Sequence, residues 1–295
     1  MVLVVGATGL VGSEVCRKLA SRGEKVRALV RATSSRETQE ALRSAGVELC
    51  LGDLTDANSI AAACRGASAV ISTATSTLMR QSYDSIESVD RAGQLALVNA
   101  AKAANITRFI FVSFRRWPGL SFPLADAKAE VEEAIATLDF TVIQASYFME
   151  VWLSPPRGFD YTNATAHIYG SGTNPISWVS FRDVAEMCAL ALRHPSATKK
   201  VIEFGGPEPL SPLAVVARFE KLSGSRFKIE HVSDKSLRAQ FEGATNSMQR
   251  TFAALMLGYS YGDAIDMSPV VNEFRINPTT VDDYARSVLG RAATA

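Results

Sequence analysis

The chain has 295 residues, 47% hydrophobic and 21% charged, and its 31 Lys and Arg against 30 Asp and Glu leave a formal charge of +1. That balance removes a bulk electrostatic case for nucleic acid or an anionic membrane. The 4 cysteines and 3 histidines are too scattered for a disulfide framework or a metal site. No stretch approaches the roughly 20 apolar residues of a membrane span. The N-terminus opens on a strand rather than on a signal peptide's basic region, so the expected location is the cytoplasm.

The first half alternates short apolar runs with amphipathic stretches, the pattern of βαβ units on a parallel sheet. Strands are expected at 2–5, 25–30, 47–51, 67–72, 108–113 and 140–144. Helices are expected at 13–20, 38–44, 60–64, 84–104 and 127–138. Six strands with helical crossovers predict an α/β fold, a doubly wound Rossmann-type parallel sheet with a nucleotide at its carboxyl edge. Beyond Ser146 the rhythm loosens into turn chemistry (Pro155-Pro156, Gly158, 169–175). Asp183 is read as capping a helix over 184–192, 201–204 as a further strand, and Ser211-Pro212 as a helix start. The expected division is a nucleotide-binding domain over 1–150 and a small substrate-side lobe over 151–295, with about 176–206 returning to the main sheet.

The most informative element comes first in the chain. Gly6-Ala-Thr-Gly9-Leu-Val-Gly12 follows a strand and opens a helix. Gly6 suits the tight turn, Gly9 lets backbone approach a pyrophosphate, and Gly12 allows close helix–strand packing. The helix N-terminus, with Leu10 and Val11 in its first turn, offers free N–H groups and positive dipole, and Thr8 and Ser13 add hydroxyls. An NAD site needs an acid roughly 20 residues later; here stands Arg31, with Arg36 beyond it. A guanidinium fork suits a 2′-phosphate, so the expected cofactor is NADP(H); a solvated loop charge is the plainer reading of Arg31. Gly52-Asp53-Leu54 ends the third strand: Asp53 is equally an adenine-amino acceptor or a turn residue, with Asp56 as the competing cap. Thr73-Ala74-Thr75 form a small-residue loop that can pass beneath a cofactor, and is also simply a loop.

Ser113 ends the fifth strand and Lys128 lies on the next helix, both at the edge where a nicotinamide would sit. Together with the glycine element, Val30-Arg31, Gly52-Asp-Leu54, Arg108–Ser113, Phe140-Thr-Val-Ile143, Tyr147-Phe-Met149 and 179–185, they carry a resemblance. The chain resembles the atypical short-chain dehydrogenase/reductases, and among them the NmrA-like and isoflavone-reductase-like families, from residue 1 to about 224. The usual family Tyr four residues before the Lys is absent: Leu124 stands there. The resemblance implies a reductase branch in which Lys128 alone serves as general acid/base or positions the ribose. A solvent-facing Lys128 paired with Glu132 one turn on is the alternative. Tyr147 is the nearest replacement hydroxyl, and with Phe148 would wall the nicotinamide pocket; core packing is equally open to both. Tyr83 is a lesser substrate contact. Trp117, Trp152, Trp178, Phe122 and Phe159 suit an apolar wall or a core.

The leading expectation is therefore NADPH-dependent reduction of a small apolar or aromatic carbonyl, enone or quinone. A non-catalytic NADP(H)-sensing regulator that binds a partner protein, and a scaffold or assembly protein with a relic nucleotide fold, are the alternatives.

Overall fold

The computed structural model describes residues 1–78 and 81–292. Its strands are β1 (Val2–Val5), β2 (Val26–Val30), β3 (Glu48–Leu51), β4 (Ala69–Ser72), β5 (Arg108–Ser113), β6 (Asp139–Ala145), β7 (Phe159–Asp160), β8 (Thr165–Tyr169), β9 (Lys200–Phe204) and β10 (Lys228–Val232). The α-helices are α1 (Leu10–Ser21), α2 (Arg36–Ser44), α3 (Ala57–Cys64), α4 (Gln94–Ala103), α5 (Pro123–Ile135), α6 (Met149–Trp152), α7 (Phe181–Ala191), α8 (Pro212–Ser223), α9 (Asp234–Glu242), α10 (Ser247–Tyr261), α11 (Ser268–Phe274) and α12 (Val281–Ala292). A π-helical stretch, Ile86–Gly93, runs into α4.

A seven-stranded sheet has the order β3-β2-β1-β4-β5-β6-β9. β1 lies parallel between β2 and β4, with Val4 opposite both Ala28 and Ile71, and β5 continues the parallel set beside β4. The chain therefore switches direction of travel across the sheet at β1/β4, the doubly wound arrangement expected from the βαβ rhythm. Both faces of β1 and β5 are covered, so every residue of each is buried. This is why Val2–Val5 and the centre of β5, Phe109–Val112, read as continuous apolar runs rather than alternations.

The chain forms two compact units: Met1–Ser113, Ser121–Gln144 and Val184–Ile202 in one; Phe114–Leu120, Ala145–Asp183 and the described part of Glu203–Ala295 in the other. In the first, Leu3, Phe109 and Phe111 of the sheet pack with Ile60, Leu97, Val131 and Ile135 of the helices. Truncating a fully buried Phe such as Phe111 to Ala costs about 3–5 kcal/mol in such a core. The second unit holds a small sheet of order β10-β8-β7, β10 parallel and β7 antiparallel to β8. Its core is aromatic, with Trp178, Phe159, Phe219 and Tyr259 buried.

Local expectations shift in four places. The 84–104 helix begins at Ile86, capped by Ser85, and is π-helical through Gly93. The expected 127–138 helix starts at Pro123, whose missing N–H and fixed φ suit the first helical position, and ends at Ile135. Asp183 does not cap a helix. It lies inside the first turn of α7, and its carboxylate accepts from the Thr279 N–H (2.7 Å) and hydroxyl (3.1 Å). Asp56, not Asp53, caps α3, accepting from the N–H groups of Asn58 and Ser59.

Candidate functional site

The parallel order β1-β4-β5 sets the ends of these three strands side by side. The glycine element after β1, the loop after β4 and Ser113 at the end of β5 thus share one edge of the first unit.

In the glycine element, Gly6 takes φ +83°, and a Cβ there would lie 2.7 Å from the Ala74 nitrogen. Its carbonyl accepts from the Gly9 N–H at 3.0 Å, closing the turn. A Cβ on Gly12 would collide with that same carbonyl, so Gly12 is what lets α1 pack onto the strand. Gly9 differs: its nearest obstacle is the Gly6 oxygen, at 3.3 Å. It is the N-cap of α1 and no side chain caps that end. First-turn N–H groups lack intrahelical partners, so Leu10, Val11 and Gly12 present donors to an anion. These residues fit a pyrophosphate. Thr8 is half-buried beside them, whereas the Ser13 hydroxyl turns back to the Leu10 carbonyl at 3.3 Å.

The loop after β4 is pinned from within the fold. Thr73 N–H and hydroxyl both reach the Val5 carbonyl. Gln94 accepts from the Ser72 hydroxyl at 2.8 Å and donates to the Ala74 carbonyl at 3.0 Å. Asp90 Oδ2 accepts from the Ser76 N–H (3.0 Å) and hydroxyl (2.6 Å), while its Oδ1 is buried without a hydrogen-bond partner. Thr75 shares a hydroxyl contact with Thr77 at 3.2 Å. Asp90 lies on the π-helical stretch, a kind of distortion that recurs at functional sites.

Arg31 closes β2, and the solvated-loop reading of it does not hold. Its Nη1 donates to Asp84 at 2.6 Å, and Nε lies 3.4 Å from Asp53. Asp53 also accepts from the Thr55 N–H and hydroxyl, each at 2.8 Å, as a turn residue does. Neighbouring Leu54 is buried. Arg36, at the start of α2, is exposed. Tyr83 is 62% exposed next to Asp84.

Lys128 is likewise not solvent-facing. Only 5% exposed, it donates from Nζ to the Val112 carbonyl at 2.9 Å and sits 4.4 Å from the centre of the Phe111 ring. Burial pulls its ammonium below the ordinary lysine range, against the opposing pull of Asp90 and Glu132. Ser113 donates to Glu132 at 2.5 Å, and Gln144 donates to the same carboxylate at 3.3 Å. The structure thus brings Lys128 and Ser113 together around the end of β5.

Tyr147 and Phe148 belong to the second unit. The Tyr147 hydroxyl donates to the Leu255 carbonyl at 2.8 Å, and burial pushes its pKa well above 10.0. Its ring lies 4.9 Å from Trp152, 5.8 Å from Tyr259 and 6.0 Å from Trp117. Phe148 bridges Val179 through its backbone. Trp178, Phe122 and Phe159 are core residues, whereas Trp117 and Trp152 are half-buried.

Asp84, Asp90 and Gln94 escape a sequence reading that looks only for motifs. Their signal is three polar residues on or beside the apolar stripe Ile86, Val89, Leu97, Val98, where a bland helix would carry aliphatics.

The model of the NmrA-like family matches residues 1–285. The chain belongs to the NmrA-like family. Among curated proteins it is 28% identical to the photosystem II assembly factor Ycf39 of Synechocystis, over 98% of this chain and 91% of that relative. It is also 28% identical to the isoflavone reductase homolog IRL of Zea mays, over 98% of each chain. Among solved structures it resembles the NADPH-dependent quinone oxidoreductase QOR2 of Escherichia coli complexed with NADPH. That match has TM-score 0.78 and 20% identity, covering 98% of this chain and 99% of the other. At that identity the structural likeness speaks for the fold. Among the described residues, no helix is long and apolar enough to cross a membrane.

Proposed function

We propose that this chain is an NADP(H)-dependent reductase of a small apolar or aromatic carbonyl, enone or quinone. The observation that carries the reading is a buried lysine, Lys128, grouped with Ser113 at the same sheet edge as an uncapped, glycine-lined helix N-terminus. When bound, NADPH supplies a hydride to an electrophilic carbon. The chain's own residues do the rest. Leu10, Val11 and Gly12 offer N–H donors to the pyrophosphate, Gly9 leaves room for it, and Thr8 adds a hydroxyl. Arg31 and Arg36 attract the 2′-phosphate. The Thr73–Thr75 loop, pinned by Gln94 and Asp90, forms a rigid floor. Lys128 holds a proton at Nζ for the oxygen that gains charge, or fixes the ribose hydroxyls, and burial lowers its affinity for that proton, which favours giving it up. Ser113 orients the Glu132 carboxylate next to it. The family likeness, the naming of IRL as an isoflavone reductase homolog and the named activity of QOR2 support this reading.

A second reading has its own support. Leu124 occupies the position of the usual family tyrosine, and Ycf39 is named an assembly factor. On that reading the chain binds NADP(H) and a protein partner without turnover. The deciding experiment supplies 4,4-dideuterated NADPH with a panel of quinones, enones and aromatic ketones, follows NADPH oxidation for all of them, and for the enones and ketones follows deuterium by mass spectrometry. Reduction of an acceptor with oxidation of NADPH, and with deuterium at the reacting carbon where that acceptor is an enone or ketone, is the expected result. NADPH that binds and is never oxidised across the panel contradicts the reductase and favours the second reading.

A further inference from the structure

Two carboxylates reach Arg31 from positions remote in sequence, Asp53 after β3 and Asp84 after β4. Asp84 is the deeper of the two. Its side chain is fully buried, its Oδ2 accepts from Arg31 Nη1 at 2.6 Å and from the Gln81 N–H at 2.8 Å, and its Oδ1 has no hydrogen-bond partner. A buried carboxylate with an orphaned oxygen is costly, and such a group in a native fold calls for an explanation.

The arrangement has two consequences for a ligand at the end of β2. Arg31 is held by Nε and Nη1, so its Nη2 edge is what remains to grip a phosphate. The three side chains together carry a charge of −1, where the lone arginine of the sequence motif would carry +1. A dianionic 2′-phosphate is drawn less strongly to this triad than to a free guanidinium, while half-exposed Asp53 is an acceptor of the kind a ribose hydroxyl uses.

We propose that Asp84 is a positioning residue that sets the degree of cofactor preference: by fixing Arg31 between two carboxylates it moderates the attraction for a 2′-phosphate, so that this chain prefers NADPH over NADH by no more than about tenfold. The inference rests on the dinucleotide site proposed above and concerns how that site chooses between its two ligands.

The test is calorimetric titration of the wild-type chain, Asp84→Asn and Asp53→Asn with NADPH and with NADH, each variant's melting temperature being recorded. The wild type should favour NADPH by no more than about tenfold, and Asp84→Asn should widen that preference about fivefold or more by tightening NADPH. Asp53→Asn, at a half-exposed position, should widen it in the same direction and decides the matter if Asp84→Asn does not fold. An unchanged or narrowed preference in the folded variants overturns the proposal, as does equal weakening of both ligands, which marks a merely structural role. A wild-type preference above about tenfold overturns it too. Wild-type protein that binds neither ligand overturns the dinucleotide site itself, a distinct failure.

Discussion

Lys128→Met separates a chemical role for the buried lysine from a structural one. Methionine keeps an unbranched side chain of similar length and removes the ammonium. The losses are one charge-assisted hydrogen bond to the Val112 carbonyl, about 1.5–3 kcal/mol, and an amine–aromatic contact with Phe111, about 1–2 kcal/mol. Asp90 keeps both bonds from Ser76 but loses a nearby opposite charge. Against these stands the desolvation of an ammonium only 5% exposed, several kcal/mol that the variant no longer bears. The opposing contributions nearly cancel, so the unfolding free energy should move by no more than about 2 kcal/mol in either direction. Turnover has no such compensation: a general acid contributes roughly 10²–10⁴-fold. Urea unfolding and single-turnover NADPH oxidation, on the same preparation with an acceptor found by the deuterium screen, give the two numbers. A stable variant whose hydride-transfer rate stays within about threefold of wild type removes Lys128 from the chemistry. A variant destabilised by more than about 4 kcal/mol shows that the ammonium is a structural element.

The same variant tests the lowered proton affinity of Lys128. Between its depressed folded value and the ordinary 10.5, the unfolded chain keeps a proton that the folded chain has released. Stability from this residue therefore rises with pH through that window. The wild-type-minus-Lys128→Met difference in unfolding free energy should shift in favour of the wild type as pH climbs toward 10.5, and a flat difference denies the shift. Gly12→Ala places a Cβ against the Gly6 carbonyl, which should cost about 1–3 kcal/mol and weaken NADPH binding at least about tenfold; undiminished binding would show that α1 need not pack so closely. Asp90→Ala removes the carboxylate that takes two bonds from Ser76 and faces Lys128 electrostatically, at an expected cost of about 3–5 kcal/mol in urea unfolding. Asp90→Asn keeps an acceptor for Ser76 and drops only the charge, so it should recover part of that loss; full recovery would mean the charge is irrelevant.

The fold of the first unit is legible because its strands are buried on both faces: Val2–Val5 and Phe109–Val112 are solid runs that could hardly be anything else. The glycine element is equally legible, since Gly6 and Gly12 are demanded by backbone approach and not by any ligand. The second unit is harder to read. β10 pairs with β8 through Lys228–Val232, mostly exposed residues with no apolar alternation, and β7 is only two residues long. α9 buries one residue, Leu237, and so carries almost no stripe. At the site, Arg31 and Lys128 stand out by residue type and position, but their surroundings do not. Asp84 reaches Arg31 across 53 positions of sequence, and Ser113 takes Glu132 across 19. The strand order β2, β1, β4 makes the first pair neighbours, and α5 folding back on β5 makes the second.

The central claim is that this chain holds a dinucleotide on the helix N-terminus opened by Gly9. The most direct measurement is a calorimetric titration of the intact protein with NADPH, run beside Gly9→Val, whose branched side chain would fill the space left open above the turn. One NADPH should bind per wild-type chain, and Gly9→Val should lose binding while still melting cooperatively. Absence of binding in the wild type, or binding that Gly9→Val leaves intact, contradicts that claim.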